Sequence, residues 1–497
     1  MVGTISTTLS ATYNLVVSPT TILSTGAVDV SAVYAVDAGA NFTLINDGTV
    51  SNAFLFGVSL GTGSTVINAG RIHGGAAGVN LAGGGTVNNQ SGGAITTSLG
   101  LSTGIQGLSA PVTVTNAGVI YGQGGGAAGI ALYGGGTITN FTGGTIQAVG
   151  GGAAGIVLGA GGIIDNRAGA TIEGTNPAIV VGGGSTTIIN AGTIIGTPGG
   201  SANGVIDFTS AFPVSSASFR NPVAAHAAGT VVNAATIITP VGNAISFFSN
   251  LANRVVDDPG AVFVGTVDGG GTLSTLELAS ATSAGTLTGL GTQFINFGSI
   301  AFDPGADWTV AGNTAGLAGT ITGFAQGDTI EVTGISVTGS SYASGVLTLH
   351  DTAGAATLDL PGNFTTSDFL VTNVAGGADV ALAPICYLAG TRIATPEGET
   401  TVECLVPGDR VITLGGNARR VVWIGQGQVL ATRGRRNACH RAQRCAGRQR
   451  PAQRSADHQS ARALSRRRSG PGGIPGEPSH DPVGRPRSGS NDLPYRT

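Results

Sequence analysis

Lysine is absent from this 497-residue sequence, methionine occurs once, tryptophan occurs twice, and only 10% of the residues are charged. The sequence is therefore poor in helix-favouring Lys, Met and Glu. Hydrophobic residues make up 41% of the chain, mainly Val, Ile, Ala and Leu in short runs, and there are 86 glycines. Because β-branched residues favour strands, this composition predicts an all-β protein with more than one structural unit.

Long hydrophobic runs are also absent. None approaches the roughly 18 residues that a membrane-spanning helix needs, so no transmembrane segment is expected. Residues 1–17 lack the basic region and the compact apolar stretch of a secretory signal. If the chain is exported, we expect it to reach the cell surface or the extracellular space without a cleavable N-terminal signal peptide.

The distribution of charge and cysteine divides the chain into two unlike parts. Residues 433–497 contain 15 of the 23 arginines and four acids, whereas the remainder carries 8 arginines and 22 acids. All four cysteines follow residue 385, so the long N-terminal part has no disulfide. The redox compartment therefore cannot be inferred from cysteine usage.

A repeated phrase indicates the fold of the N-terminal part. Two β-branched residues precede an Asn that is often followed by Gly and another apolar pair, as in TVINAGRI, TVTNAGVI and TIINAGTI. This Asn recurs at Asn46, Asn68, Asn89, Asn116, Asn140, Asn166, Asn190 and Asn233, with a looser echo at Asn296. The spacings are 21 to 27 residues, except for a last spacing of 43 that we interpret as nearly two units. Such periods predict a right-handed parallel β-helix, or β-solenoid, with the eight Asn side chains forming an amide ladder.

The solenoid sequence contains few acidic residues that could act as catalytic groups. Between residues 41 and 250 there are only four acids, Asp47, Asp165, Glu173 and Asp207, and they occupy unlike places in their units. Sugar cleavage needs clustered carboxylates, so a carbohydrate-active β-helix enzyme is the most distant alternative. The glycine-rich units lack the regular Asp of calcium-binding repeats, and we expect no metal and no cofactor.

Two later stretches, VVDDPGAVFVG and FINFGSIAFDPGADWTVAG, resemble the passenger regions of bacterial autotransporter adhesins. The resemblance implies a stiff, exported rod that binds a surface ligand, either glycan or protein, and that self-associates. Unlike members of that family, the sequence is not expected to contain a C-terminal translocator of alternating strands.

The stretch that begins at Cys386 reads CYLAGTRIATPEGETTVECLVPGDRVITLGGNARRVVWIG. It resembles the N-terminal half of a bacterial Hint (hedgehog/intein) domain. The resemblance implies that Cys386 is the nucleophile that attacks the carbonyl of Ile385 and converts the peptide bond into a thioester. Cys404 occupies a place where a small apolar residue would pack, and it receives no role.

The family also requires a downstream Thr-x-x-His, which is absent after Cys386. The tail is rich in Arg, Pro, Gly and Ser and is predicted to be disordered. Its arginines suit nucleic acid, but only Tyr495 supplies an aromatic residue, and we expect no nucleic-acid partner. A reading frame shifted by one base instead permits a strand-like sequence containing TKAH, which favours a frameshift.

The predicted organisation is a β cap (1–40), the solenoid (41–318), a closing β-rich module (319–384), half a Hint domain (385–432) and the tail (433–497). The leading functional hypothesis is an exported or surface structural, adhesin-like protein whose self-processing module is degenerate and inactive. The alternative is an autocatalytic protein that cleaves before Cys386 by an N–S acyl shift.

Overall fold

In the residues that it describes, the computed structural model is built of strands, with two short 3-10 helices at Thr366–Asp368 and Val402–Cys404. It describes residues 3–175, 177–198, 204–209, 225–352, 354–383, 386–387, 389–412, 418–427 and 443–447. Within these residues there is no helix of the length and apolar character that crossing a membrane would require.

The N-terminal part is a parallel β-solenoid of about 12 turns, as the repeat predicted. Each coil contributes one strand to each of three faces, and every strand pairs in parallel with its counterparts in the neighbouring coils. The first face consists of Gly3–Ile5, Thr20–Ile22, Thr43–Asn46, Ser64–Asn68, Gly85–Asn89, Val112–Asn116, Gly136–Asn140, Gly162–Asn166, Gly184–Asn190, His226–Asn233 and Arg254–Asp257. The second face consists of Thr8–Leu9, Ala27–Val30, Thr49–Asn52, Arg71–Gly74, Ala94–Thr97, Val119–Gln123, Thr145–Val149, Thr171–Gly174 and Thr193–Gly196. The third face consists of Tyr13–Asn14, Tyr34–Ala38, Phe56–Leu60, Ala77–Leu81, Thr103–Gly107, Ala128–Leu132, Ala154–Leu158, Ile179–Val181 and Gly204–Asp207.

Longer strands continue the stack by turning corners without a break. Thr236–Ser246 passes from the second face to the third, and Val262–Leu278 spans all three. The last parallel coils are built from Gly285–Leu290, Phe294–Phe302, Trp308–Gly312, Thr320–Thr322 and Thr329–Thr333.

Columns of β-branched and Leu side chains fill the interior. On the second face, Ile72, Ile95, Ile120, Ile146 and Ile172 follow one another in register and are completely buried. Similar columns line the first and third faces, so the core is continuous along the axis. No single coil could bury this surface alone, and stacking therefore supplies the stability.

The eight asparagines of the repeat lie in one buried column on the first face. The side-chain Nδ2 of each donates to the Oδ1 of the next, over 2.7 to 3.0 Å, from Asn46 through to Asn233. Each is completely buried. The column is preceded in register by Ile22 and followed by Asp257, which ends the run of amides.

The structure differs from the sequence-based description in three places. Parallel coils begin at Gly3 rather than after a separate cap, because Ile5, Ile22 and Val28 already contribute to the common core. The spacing of 43 is one coil with an insertion between the third and first faces, since Asn190 bonds directly to Asn233. Asn296 lies outside the ladder, with its Nδ2 donating to Asp268 over 2.8 Å.

An antiparallel module follows the last coil. Its strands are Val337–Ala343, Val346–Asp351, Gly354–Asp359, Phe369–Val374 and Gly377–Leu382. Gly377–Leu382 pairs antiparallel with Thr329–Thr333, whose other edge belongs to the parallel stack. The backbone edge of the last coil is therefore occupied rather than open, which limits edge-to-edge association.

Candidate functional site

The segment that contains Cys386 forms three small antiparallel sheets. Cys386–Tyr387 pairs with Gln443–Gly447, which also pairs with Trp423–Gly427. The other sheets are the hairpin of Arg392–Thr395 with Gly398–Thr401 and the pair of Arg410–Ile412 with Ala418–Arg420. The strand Gln443–Gly447 lies inside residues 433–497, the region that the sequence analysis assigned to the tail. Its backbone is satisfied by pairing on both edges; the rest of 433–497 lies outside the described residues.

Short-range hydrogen bonds and a few apolar side chains fix the middle of this segment. Asp409 accepts from the backbone N–H of Val406 through Oδ2 at 2.8 Å, which closes the turn before Arg410–Ile412. Glu403 Oε2 accepts from the N–H of Gly390 at 2.8 Å. Val402, Leu405 and Val421 are the buried hydrophobic residues among the described residues of this segment. The segment is thus a set of turns around a small core, as its Gly and Pro pattern suggested.

A cavity of about 390 Å³ opens beside Cys404, Asp409 and Arg410. Cys404 is exposed rather than packed, because the 3-10 turn directs Val402 and Leu405 inward on either side of it. Its Sγ accepts a hydrogen bond from Thr401 Oγ1 at 3.3 Å. The expectation that Cys404 packs as a small apolar residue is therefore wrong.

The reaction predicted for this segment would join the thiol of Cys386 to the carbonyl of Ile385. Cys386 is placed by its backbone, opposite Cys445 in the sheet, whereas Ile385 lies outside the described residues. Residues 386–427 contain no histidine. The described histidines, His73, His226 and His350, belong to the solenoid and the antiparallel module. No described side chain of this segment thus supplies the imidazole that would protonate a leaving amine.

Two acidic residues of the solenoid, Asp165 and Asp207, are held by neighbouring side chains. Asp165 forms an ion pair with Arg167 at 3.0 Å, and Arg167 also lies over the ring of Phe141. Asp207 is completely buried and accepts from both the N–H and the hydroxyl of Thr209 at 2.7 Å. Both carboxylates have structural partners. No group of three His, Cys, Asp or Glu side chains in the described part of the chain is arranged to hold a metal ion.

One buried acid was missed by the sequence analysis. Asp257 occupies the ladder position after Asn233 and is 3% exposed, and its Oδ1 has no hydrogen-bond partner among the described residues. Burial, with a smaller contribution from Asp258, raises the pKa of Asp257 to about 8. The signal was present in the sequence, because VVDD follows VVN by 24 residues with Asp in place of Asn.

Comparison with known proteins gives a family for this segment alone. The family model of the Hint domain matches residues 385–447, beginning one residue before Cys386 and extending 15 residues beyond the predicted boundary at 432. No curated protein and no solved structure matches the chain. The Hint resemblance of the segment is thereby confirmed, as is the β-solenoid that precedes it.

Proposed function

We propose that this chain is a structural, adhesin-like protein of the cell surface or extracellular space, and that its Hint segment is degenerate. The observation that carries the proposal is the unbroken stack of coils, held by a continuous core and by seven amide–amide hydrogen bonds. Such a stack presents long, regular outer faces, which suits display and contact rather than catalysis.

The charge and the partners of the solenoid acids support the same proposal. An adhesive protein acts through an extended outer surface that contacts its ligand. A polysaccharide-cleaving site instead needs two carboxylates that face a common substrate. Asp165 and Asp207 are held by Arg167 and Thr209 respectively. This arrangement favours the structural function over the hydrolytic one.

The experiment is to stain cells that produce the full chain with an antibody raised against the purified protein. We expect labelling of intact, unpermeabilised cells or recovery of the chain from the medium, while a cytosolic marker stays unlabelled. Labelling that requires permeabilisation, with nothing in the medium, would overturn the proposed location.

Autocatalytic cleavage before Cys386 is the second candidate, and the family match that starts at residue 385 is the observation that favours it. It requires a thiolate, a donor for the carbonyl and leaving amine of the scissile bond, and a fold that aligns them. The absence of a Thr-x-x-His element after Cys386 argues for an inactive module. Loss of a positioned acid or base lowers such rates by about 10² to 10⁴.

A further inference from the structure

Two cysteines lie opposite each other across the first of the three small sheets of the Hint segment. Cys386, at the start of the strand Cys386–Tyr387, is in antiparallel register with Cys445 of Gln443–Gly447. On its other edge, the same strand places Cys445 beside Gly425. The three residues therefore form one row across the sheet, and the two cysteines are neighbours in that row although they are far apart in the sequence.

The backbone geometry of such a pair suits a disulfide bond. Directly opposite residues of an antiparallel sheet belong to the same face, and their Cα atoms are about 4.5 Å or about 5.5 Å apart, depending on whether they exchange backbone hydrogen bonds. A disulfide joins residues whose Cα atoms are about 4.4 to 6.8 Å apart. Both kinds of antiparallel pair fall within this range. Cys386 and Cys445 can therefore be bridged without a shift of the register.

The neighbouring strand leaves this position of the sheet open. The residue in register with Cys445 on the edge away from Cys386 is Gly425, which has no side chain. A larger residue at this place in Trp423–Gly427 would share the sheet face with the cysteine pair. The row thus combines two thiol-bearing residues with the one residue type that adds no bulk beside them.

The other described cysteine does not belong to this row. Cys404 is an exposed, free thiol in a 3-10 turn, and its Sγ accepts a hydrogen bond from Thr401 Oγ1 at 3.3 Å. Cys439 lies outside the described residues. Register therefore selects Cys445, rather than Cys404, as the partner of Cys386.

We propose that Cys386 and Cys445 form a disulfide bond, which turns the expected nucleophile into a reversible covalent link. The oxidant is a low-molecular-weight disulfide such as glutathione disulfide. The thiolate of one cysteine attacks the reagent and releases its first thiol, and the thiolate of the second cysteine attacks the mixed disulfide and releases the other. The chain loses two protons and two electrons, and the reagent takes them up as two thiols.

The bond withdraws Cys386 from acyl transfer. Attack on the carbonyl of the preceding residue, Ile385, requires a thiolate, and a sulfur atom held in a disulfide is not one. The same bond closes a loop that runs through the whole segment from Cys386 to Cys445, which restricts its unfolded chain. The inference goes beyond the proposed function, since the bond follows from the register of two strands and not from the location of the protein.

The test oxidises the purified full chain with glutathione disulfide, blocks free thiols with N-ethylmaleimide and analyses a digest made without reduction by mass spectrometry. We expect the monomeric chain to yield a pair of peptides joined through Cys386 and Cys445, with Cys404 carrying the maleimide. Dithiothreitol added before the maleimide should abolish the joined pair and allow labelling of Cys386. Cys445→Ser should allow that labelling without any reductant.

Cys439→Ser is the matched control, because it removes a cysteine close to Cys445 in the sequence and should leave the joined pair intact. Circular dichroism should show that both variants keep the β-sheet signal of wild type. The proposal is overturned if oxidised wild type is labelled at Cys386, if Cys386 is joined to Cys404 or Cys439, or if it retains glutathione. Surface staining of cells is independent of these results, so the disulfide can fail while the proposed location stands.

Discussion

Asn190 and Asn233 are 43 residues apart in the chain, yet their side chains are joined by a hydrogen bond of 2.8 Å between Nδ2 and Oδ1. The backbone strands that carry them are in register, with Ile188 beside Val231 in the core. The amide column and the apolar column therefore fix the same register across a long insertion. A shift by one residue would bury outward side chains and break both columns at once.

This arrangement predicts that an interior member of the ladder contributes more stability than its last member. Asn116→Ala removes two amide–amide bonds and leaves the buried Oδ1 of Asn140 without its donor. Asn233→Ala removes one such bond, and Asn190 Nδ2 keeps the carbonyl of Thr236 at 3.1 Å. We expect Asn116→Ala to lower the free energy of unfolding by about 1–3 kcal/mol more than Asn233→Ala.

Urea unfolding followed by circular dichroism measures this difference between the two variants as a shift in the urea concentration at the unfolding midpoint. Thr115→Ala, which alters the outward neighbour of Asn116, should stay within about 0.5 kcal/mol of wild type. Equal midpoints for all three variants would show that the amide ladder does not stabilise the stack.

The glycine corners give a prediction that separates backbone strain from steric clash. Gly135 and Gly143 both have left-handed backbones, with φ of 75° and 81°. A Cβ at Gly135 would lie 2.5 Å from the carbonyl oxygen of Gly161, whereas one at Gly143 would meet nothing within 4 Å. Gly143→Ala should cost only the strain of the left-handed conformation, about 1–2 kcal/mol, and Gly135→Ala should cost distinctly more. Thermal unfolding of the two variants tests this, and indistinguishable melting temperatures would contradict it.

The raised pKa of Asp257 predicts that the free energy of unfolding falls as the pH rises. Its pKa is raised from 3.8 to about 8, so between these values the folded chain keeps a proton that the unfolded chain has lost. The stabilisation is complete below about pH 4 and is lost progressively up to about pH 8, by at most about 1.4 kcal/mol per pH unit. Asp258 and Asp303 are shifted in the same direction by burial and add to the trend.

Asp257→Asn isolates the contribution of the ladder acid, because an amide fills the same position without titrating. Unfolding midpoints at pH 5 and pH 8.5 should differ clearly for wild type and much less for Asp257→Asn. The variant should also be the more stable chain at pH 8.5. If wild type and variant change by the same amount between the two pH values, Asp257 is not the titrating group.

The repeat revealed the solenoid because its Asn and its flanking β-branched residues recur with little variation. The alignment of outward side chains on the second face was hidden by unequal corners: His73 and Tyr121 follow their ladder asparagines by five residues, whereas Thr96, Gln147 and Glu173 follow theirs by seven. Two extra corner residues change the count along the chain but not the register of the strands. Sequence spacing alone could not place these side chains in one column.

Strand register, which the sequence does not show directly, also explains two other errors. The insertion after Asn190 was misinterpreted, and the acid at Asp257 was missed. The 43-residue spacing suggested two units, whereas the structure has one coil with an insertion. A corner between two faces can hold many extra residues without changing the register of the strands. Asp257 replaces the ladder Asn in VVDD, and the register with Asn233 identifies its place in the column. Around Cys386 the motif could be recognised, but the Thr-x-x-His element that would assist the cysteine is absent from the sequence after it.

The central claim, a structural rod that stays joined to an inactive Hint segment, is tested most directly by following the intact mass of the purified chain with dithiothreitol or hydroxylamine. A chain whose frame is shifted by one base near Arg435 serves as the positive control, and its Cys386→Ala variant as the negative control. We predict that the mass of the chain stays at 48.6 kDa, with cleavage confined to the frame-shifted chain that retains Cys386. A fragment of the unaltered chain that ends at Ile385 would contradict the account.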